Sequence, residues 1–397
     1  KSMRILFCNY EYPPLGGGGG VINALLAEEM AKRHEITVLT SQGLNLPEER
    51  VENGVRVIRV PVFFRKQEMA ANLLSMFSYL PLGIIKGKKL LDRESFDVIN
   101  THFVLPTGPV GDALSQYARI PNVLSLHGGD LYDPSKFTSP HRHPLLRLWI
   151  KRLLRRADRV IGQSSNTIEN MRRFYTPELE AVRIPLGIRR PKMERASRRE
   201  YRCGEKELLL VTVGRLVARK AIPQLISMME SLRKEKVRLL VIGTGPQEAD
   251  LKGECIKRQL KEKVLFLGHV EEDEKFRILQ MCDLYVSTSQ HEGFGLVFLE
   301  AMASGLPIVC YNHGGQTDFL ENGITGYLMP LNDKTGFENA CRILTKDLDL
   351  RWKIGQENLK KVEEFFIDRC TAQYEAVFEK AIANYRRKGT NGISHWT

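Results

Sequence analysis

The sequence predicts an α/β protein with two doubly wound domains, each built on a parallel sheet with helices on both faces. Short runs rich in Val, Ile and Leu alternate with helical patterns along the 397-residue chain. These runs lack a strict alternation of apolar and polar residues, which is typical of strands buried on both faces. The rhythm stops in a charged, apolar-poor stretch at 189–200, interpreted as a linker, and then starts again. The length also allows two domains of ordinary size.

The first half is expected to form one domain, spanning 1–190. Its strands are predicted at 5–8, 36–40, 55–60, 98–101, 123–126 and 160–162. Helices are predicted between them at 21–32, 108–117 and 145–156. Because strands and helices alternate, the strands are expected to lie parallel in one sheet.

The second half repeats the pattern and is expected to form a domain over 191–365. Its strands are predicted at 208–213, 239–242, 264–267, 284–287 and 308–310. Its helices are predicted at 222–233, 247–260, 275–281 and 296–303. Two long helical stretches, 334–345 and about 349–385, end the chain.

Composition excludes several classes of protein. The seven cysteines are scattered and form no C-x-x-C pair, which indicates a reducing cytosol and excludes a disulfide framework or a zinc site. No signal peptide is expected, since strand-like residues begin at Arg4. The longest apolar run, 73–85, is too short and too interrupted to span a bilayer. We therefore expect a cytoplasmic protein.

The net charge of +12 lies mostly in the first half, where residues 1–190 carry +9. A basic half attracts nucleic acid, an anionic membrane or a phosphorylated substrate. Nucleic-acid binding is a distant alternative, because no recognisable reading module is present and aromatic residues do not interleave with the basic runs.

The most informative motif is a pair of carboxylates, Glu292 and Glu300, that bracket a Gly-Phe-Gly turn. The turn lies between a predicted strand and a predicted helix, at the sheet edge where α/β proteins bind ligands. The helix N-terminus suits a phosphate. Glu300, about two turns into the helix, would then lie near vicinal hydroxyls such as those of a ribose. The motif predicts a phosphate with a hydroxyl-rich group on each side.

Three further motifs end predicted strands. Five glycines at 16–20 follow the first strand and can form a nest of anion-binding donors, although a flexible linker is an alternative. Gly214 and Arg215 end another strand, with Lys220 close behind, and suit a phosphate unless they are only a solvated charge cluster. His127 follows a third strand and is either structural or part of a cleft wall. No cluster has convincing metal spacing, so no metal is expected.

The predicted helix 145–156 is amphipathic and strongly basic on one side. Its basic side includes Arg147, Lys151 and Arg155, and Trp149 lies among its apolar residues. An ordinary packing helix and a membrane-surface helix both fit this pattern. A second basic segment, 63–91, adds Met76, Phe77 and Tyr79 as exposed-looking residues.

Taken in order, these motifs resemble those of the retaining glycosyltransferases of family 4, which have the GT-B fold. The resemblance covers nearly the whole chain. The motifs that carry it are Tyr12-Pro13-Pro14 with Gly16-Gly17, His127-Gly128-Gly129-Asp130, Ile184-Pro185-Leu186-Gly187, Gly214-Arg215 with Lys220, Gly243-Thr244-Gly245-Pro246, Phe266-Leu267-Gly268, Glu292-Gly293-Phe294-Gly295 with Glu300, and His313-Gly314-Gly315.

The resemblance implies two Rossmann-like domains facing across a cleft, with the C-terminal helix, about 366–397, crossing back to the N-domain. The N-domain would hold the acceptor and the C-domain a nucleoside diphosphate sugar. It also implies no metal or other cofactor. The transferred group would be a hexose-type sugar from a UDP- or GDP-sugar, and the acceptor a glycan or lipid-linked hydroxyl. The enzyme would be peripheral on the inner face of the cytoplasmic membrane.

Roles for individual residues follow from the same resemblance. Glu300 would bind the ribose, Arg215 and Lys220 the diphosphate, and Glu292 the transferred sugar, which His127 would contact from the N-domain. The remaining donor-binding residues would be Gly16, Gly17, Gly214, Gly293, Phe294, Gly295, Leu296 and Val297. The acceptor or membrane side would comprise Asp130, Arg147, Trp149, Lys151 and Arg155.

Two departures from the family pattern leave the donor's base and sugar open. Ala221 follows Lys220 where the family commonly has Gly, and Gln316-Thr317-Asp318 follows the last Gly-Gly pair in place of an Ile-Pro-Glu type of sequence. A GT-B enzyme with a soluble acceptor and a sugar-nucleotide epimerase are alternatives.

Overall fold

The computed structural model describes residues 2–16, 18–43, 45–63, 73–134 and 136–391. These residues divide into two compact units. Unit 1 contains the described residues up to Gly187 together with those from Ile367 onward, and unit 2 is Ile188–Phe366. Each unit is an α/β body with its own sheet, which confirms the predicted fold class.

Unit 1 contains an eight-stranded sheet in the order β3-β4-β2-β1-β5-β6-β7-β8. The strands are β1 (Arg4–Cys8), β2 (Glu35–Ser41), β3 (Glu49–Glu52), β4 (Val55–Val60), β5 (Val98–His102), β6 (Asn122–Leu126), β7 (Arg159–Gly162) and β8 (Val182–Arg183). All pairs are parallel except β3 with β4. Strands β3 and β8 were not predicted from the sequence, because β3 is polar and β8 has only two residues.

The helices of unit 1 cover both faces of this sheet. They are α1 (Gly18–Ala31), α2 (Leu73–Leu91), α3 (Gly108–Ala118), α4 (Pro144–Arg156) and α5 (Ser165–Phe174). Helix α2 was not predicted, since Pro81 lies inside it. Tyr79 on α2 is buried, not exposed as the sequence suggested, and its hydroxyl donates to the Leu39 carbonyl at 3.2 Å.

Unit 2 contains a six-stranded, fully parallel sheet in the order β11-β10-β9-β12-β13-β14. The strands are β9 (Leu208–Val213), β10 (Val237–Ile242), β11 (Val264–Gly268), β12 (Leu284–Ser287), β13 (Ile308–Tyr311) and β14 (Gly326–Met329). The helices are α6 (Ile222–Ser231), α7 (Glu248–Lys257), α8 (Glu272–Met281), α9 (Leu296–Ala303), α10 (Lys334–Lys346) and α11 (Leu348–Lys361). The strand order reverses between β9 and β12, as in doubly wound nucleotide-binding folds.

The last helix, α12 (Ile367–Asn391), belongs to unit 1. Its apolar side, including Tyr374 and Phe378, packs in the same core as Ile5 and Phe7 of β1. The prediction of one helical stretch over about 349–385 is wrong, because α11 ends at Lys361 and the chain is extended at Phe366. Phe366 pairs with Ile188 there, a tertiary contact that helical periodicity does not reveal.

The predicted linker at 189–200 is part of unit 2 and not a free connection. The Ala196 amide donates to the Arg277 carbonyl at 3.0 Å, and Gln280 Nε2 donates to the Lys192 carbonyl at 2.8 Å. The segment is therefore fastened to α8. The polar composition of the segment suggested a linker. Its contacts with α8 use backbone atoms, and amino-acid composition does not reveal backbone contacts.

Candidate functional site in unit 2 and its counterpart in unit 1

The candidate site lies at the carboxyl ends of β9 and β12, where the strand order of unit 2 reverses. A small cavity at this edge is lined by Gly214, Lys220 and Ser287, among others. The Thr288 hydroxyl, just past β12, donates to the carbonyls of Lys220 and Ala221 at 3.1 and 3.0 Å. These bonds fasten the loop after β9 to the loop after β12, so the predicted phosphate ligands and the carboxylate motif lie together.

The loop after β13 packs directly on the carboxylate motif. The Gly315 amide donates to the Glu292 carbonyl at 2.8 Å. A Cβ atom at Gly315 would lie 2.1 Å from the Gly293 carbonyl oxygen, so no larger residue fits. The second glycine of the His-Gly-Gly motif therefore permits this backbone contact.

Gly295 is the last residue of the turn and directly precedes α9. Its φ of +95° is in the left-handed region, where glycine is unstrained. The following residues, Leu296 and Val297, begin the helix, whose first N–H groups have no intrahelical partner. Phe294 is buried and packs against Phe319, so only its backbone is available to a ligand.

Glu292 lies between two cations. The residue Glu292 is only 7% exposed, and its carboxylate forms an ion pair with Lys220 through Oε1. Arg219 donates to Oε2 at 3.0 Å and to the His291 carbonyl at 2.6 Å. Burial alone would raise the pKa of Glu292, but the charges of Lys220 and Arg219 lower it to about 2. Arg219 was not among the predicted site residues, because its only signal in the sequence is its position beside Lys220.

Glu292 is expected to make unit 2 less stable in acid. Its pKa of about 2 in the folded protein lies below the ordinary value of 4.5, so the unfolded chain binds its proton more tightly. This difference contributes roughly 3 kcal/mol, present in full above pH 4.5 and lost as the pH falls through 2. In urea unfolding, the stability advantage of the natural protein over Glu292→Gln should shrink between about pH 5 and pH 3. An advantage of equal size at both pH values would contradict this.

Arg215 follows β9 with an exposed side chain. No carboxylate within the described ranges forms an ion pair with it, in contrast to Lys220 and Arg219. Its guanidinium is thus available to an incoming anion at the same sheet edge.

Glu300 lies in α9 and is 9% exposed. Lys275 of α8 places Nζ 2.7 Å from its Oε1. Its other oxygen, Oε2, is buried and accepts no hydrogen bond from any residue that the structure describes. Burial raises the pKa of Glu300, and Lys275 offsets this rise only in part. An unsatisfied acceptor of this kind costs free energy, which a ligand hydroxyl would recover.

In unit 1, His127 follows β6 and meets two aromatic residues that follow or end β5. Its Nε2 lies 3.0 Å from Nδ1 of His102, and its ring stacks on Phe103 with centroids 4.2 Å apart. Burial lowers the pKa of His127 to about 4. The imidazole is therefore neutral at physiological pH and acts as a hydrogen-bonding group, not as a cation.

Asp130 is buried inside unit 1. Its carboxylate accepts from the Val104 amide at 2.8 Å and from the His127 amide at 3.0 Å. Burial raises its pKa to about 6, against the lowering effect of these amides. Asp130 thus shapes the His127 loop, and its place on the acceptor or membrane side stays a prediction.

The glycine-rich segment is described except for Gly17, a predicted donor-binding residue that lies outside the described residues. Gly16 packs against the side chain of Glu11. Gly19 lies so close to Phe103 that a Cβ atom would be 2.2 Å from the ring. Phe103 therefore touches both the glycine-rich segment and His127.

Two family models match the chain. "Glycosyl transferase 4-like domain" matches residues 17–187, and "Glycosyl transferases group 1" matches residues 193–361. The glycogen synthase of Mycobacterium tuberculosis is 30% identical over 362 residues, which cover 87% of this chain and 86% of the relative. The chain belongs to the family 4 glycosyltransferases.

Another relative agrees with this assignment, and a solved structure shares the fold. The N-acetyl-alpha-D-glucosaminyl L-malate synthase of Bacillus anthracis is 28% identical over 92% of this glycosyltransferase and 94% of its own length. The HepE protein of Anabaena, solved in complex with UDP, has a TM-score of 0.75 at 20% identity, covering 95% of this chain and 100% of that one. The fold is therefore GT-B, as predicted.

Both departures from the family pattern have a structural place in this glycosyltransferase. Ala221 adopts a left-handed conformation with φ of +48°, a region in which the Gly of the family pattern would be less strained. Gln316 is buried, and its Nε2 donates to the His313 carbonyl at 2.8 Å. Gln316 thus supports the loop that packs on Glu292.

Helix α4 holds most of the predicted acceptor-side residues of the glycosyltransferase. Arg147 donates to the Phe174 carbonyl at 3.0 Å, and Arg155 forms an ion pair with Glu178. Trp149 is partly buried against the core of unit 1, which agrees with its place among the apolar residues of the helix.

The outward face of α4 is partly apolar. Leu145 is 83% exposed and Leu148 is 67% exposed, beside the exposed Arg152 and the partly exposed Lys151.

None of the helices within the described ranges is long and apolar enough to cross a membrane. Metal independence remains a prediction, although the described residues include no cluster of three or more His, Cys, Asp or Glu suited to a metal.

Proposed function

We propose that this glycosyltransferase transfers a hexose-type sugar from a UDP- or GDP-sugar to a hydroxyl of a glycan or lipid-linked acceptor, with retention of anomeric configuration and without a metal. One observation carries the proposal: Lys220 and Arg215 lie at the strand-order reversal of unit 2, together with the start of α9. Cations and a helix N-terminus suit the diphosphate of a nucleotide sugar. One buried oxygen of Glu300 has no hydrogen-bond partner in the part of the chain that the structure describes, which supports a ribose hydroxyl as its partner.

The proposed role of the cations is to stabilise the leaving group. Departure of the nucleoside diphosphate builds negative charge on the β-phosphate. Lys220, Arg215 and the first N–H groups of α9 interact more strongly with that charge than with the bound donor, which lowers the barrier. When the donor binds, Lys220 would leave Glu292 and form an ion pair with the phosphate. Glu292 would stay ionised because it keeps its ion pair with Arg219.

Glu292 is proposed to position the transferred sugar. A carboxylate whose pKa is about 2 is a poor general base at neutral pH. Both of its oxygens also face cations, which weakens it as a nucleophile. We therefore propose attack from the leaving-group face, with the departing diphosphate taking the acceptor's proton. His127 would contact the sugar as a neutral hydrogen-bonding group.

A thermal-shift screen tests the donor class. UDP, GDP and ADP, and their glucose conjugates, are added to the full-length protein at increasing concentration. A nucleotide at about 100 times its Kd stabilises the folded state by roughly 2.7 kcal/mol, so the matching nucleotide should raise Tm by several degrees. If no nucleotide raises Tm, the proposed donor class is wrong.

The exposed leucines of α4 favour an acceptor at a membrane surface, and we propose a location on the inner face of the cytoplasmic membrane. Apolar side chains flanked by basic ones bind anionic interfaces. The protein should co-sediment with anionic vesicles at low salt, and Leu145→Ser with Leu148→Ser should reduce this binding several-fold.

The matched control for the membrane experiment is Leu348→Ser, since Leu348 on α11 is also 67% exposed. Vesicle binding that is absent, or equally reduced by the control, disfavours a lipid-linked acceptor. The alternative is then a soluble acceptor, which the Bacillus anthracis relative, named an N-acetyl-alpha-D-glucosaminyl L-malate synthase, also favours.

A further inference from the structure

In the ion pair between Lys275 and Glu300, the two oxygens of the carboxylate have different surroundings. Oε1 accepts from the lysine, and Oε2 is left without a partner among the described residues. Both side chains are mostly buried, with 17% of Lys275 and 11% of Glu300 exposed. An ion pair on the surface contributes little to stability. This pair differs because it is mostly buried and because the second carboxylate oxygen of its own Glu300 has no partner among the described residues.

A cation beside Glu300 changes what the carboxylate can bind. An isolated buried carboxylate tends to take up a proton, and then only part of its acceptor capacity remains. With Lys275 at 2.7 Å the charged form is favoured, and a hydroxyl that donates to a charged oxygen binds about twice as strongly as to a neutral one.

The lysine also brings donors of its own. An ammonium has three N–H donors, and in the described part of the chain the only hydrogen-bond acceptor found for Nζ is Glu300. The pair thus presents an acceptor, Oε2, beside a donor, Nζ. Two neighbouring hydroxyls, each able to donate and accept, match this arrangement.

We propose that Lys275 is a specificity-determining residue that, together with Glu300, recognises the vicinal diol of the donor's ribose. This inference rests on the proposed function, because it assumes a ribonucleotide donor. It adds that discrimination between ribose and deoxyribose depends on the lysine and not on Glu300 alone.

The test is a set of dissociation constants measured by isothermal titration calorimetry on the full chain. The ligands are UDP and GDP, each with its 2′-deoxy and 3′-deoxy forms. The natural protein should bind at least one ribonucleotide about 10-fold or more tighter than its deoxy forms, as sites that bind a hydroxyl reject analogues lacking it. Lys275→Met should weaken ribonucleotide binding about 10-fold and deoxynucleotide binding much less.

The ratio of deoxy to ribo dissociation constants is the readout, because partial unfolding weakens all ligands equally and leaves the ratio unchanged. The control variant is Lys252→Met, which breaks a partly exposed ion pair with Glu248 on α7 and should leave the ratio as it is. A ratio that Lys275→Met does not lower overturns the role of Lys275, and the proposed function stands. If the natural protein binds neither UDP nor GDP, the proposed function fails, and this inference with it.

Discussion

Lys220→Met is expected to lower kcat by roughly 10²–10³-fold, the usual effect of removing one donor aimed at a developing charge. Methionine keeps much of the length of the side chain and removes only its charge and donors. The loss should fall mainly on kcat, since Lys220 interacts more strongly with the transition state than with the bound donor. The measurement is the initial rate of nucleoside diphosphate release from the donor sugar that the thermal-shift screen identifies.

Lys220→Met also removes one partner of Glu292, so its stability must be measured beside its rate. Arg219 still pairs with Glu292 in that variant, and the buried carboxylate keeps one cation. Lys252→Met is the matched control and is expected to retain kcat within about twofold, as Lys252 forms a partly exposed ion pair with Glu248 and is not one of the predicted donor-binding residues. If Lys220→Met folds normally and its kcat falls less than about threefold, Lys220 does not stabilise the leaving group.

Glu300→Gln is expected to weaken the binding of UDP or GDP by roughly 10–100-fold. A hydrogen bond to a charged group contributes about 1.5–3 kcal/mol, which corresponds to this change in Kd. The amide keeps the shape of the side chain and loses the charge that holds Lys275 and attracts a hydroxyl. The measurement is titration calorimetry with the nucleotide that binds the natural protein.

The control for Glu300→Gln is Glu230→Gln, a partly exposed residue of α6 that pairs with Arg233 and Arg258. It should leave nucleotide affinity unchanged. An unchanged affinity in Glu300→Gln itself would remove the ribose role from Glu300. That result would leave the diphosphate roles of Arg215 and Lys220 unaffected, because those two residues lie in the loop after β9 and not on α9 with Glu300.

Much of unit 2 was predictable from sequence. Strands β9 and β12 and helix α9 begin and end at the predicted residues. These elements are apolar, short and bounded by glycine or polar residues, so local patterning specifies them. The same locality explains why Glu292 and Glu300 were recognised: strand, glycine turn and helix follow one another without a break.

The partners of those carboxylates were not predictable. Lys275 lies 25 positions before Glu300, and Arg219 lies 73 positions before Glu292. A lysine in a helix and an arginine in a basic loop are ordinary in any surface pattern. Their contacts arise only when α8 packs beside α9 and when the loop after β9 meets the loop after β12.

Some elements were missed because tertiary contacts outweigh local signals. Phe366 interrupts a stretch with helical periodicity, and its extended conformation is fixed by Ile188, far away in sequence. Pro81 argues locally against a helix, but α2 forms around it and buries Tyr79. Pairing with Ile188 decides the first case, and burial of Tyr79 against the sheet decides the second.

The sequence by itself determined the fold class, the order of the motifs and the family, because these depend on residue type and spacing along the chain. The tertiary structure alone decided which charges meet. It places Glu292 between Lys220 and Arg219, and it leaves one oxygen of Glu300, beside Lys275, without a hydrogen-bond partner among the described residues. The physical reason is that an ion pair depends on distance and burial, and packing sets both for residues that are distant in sequence.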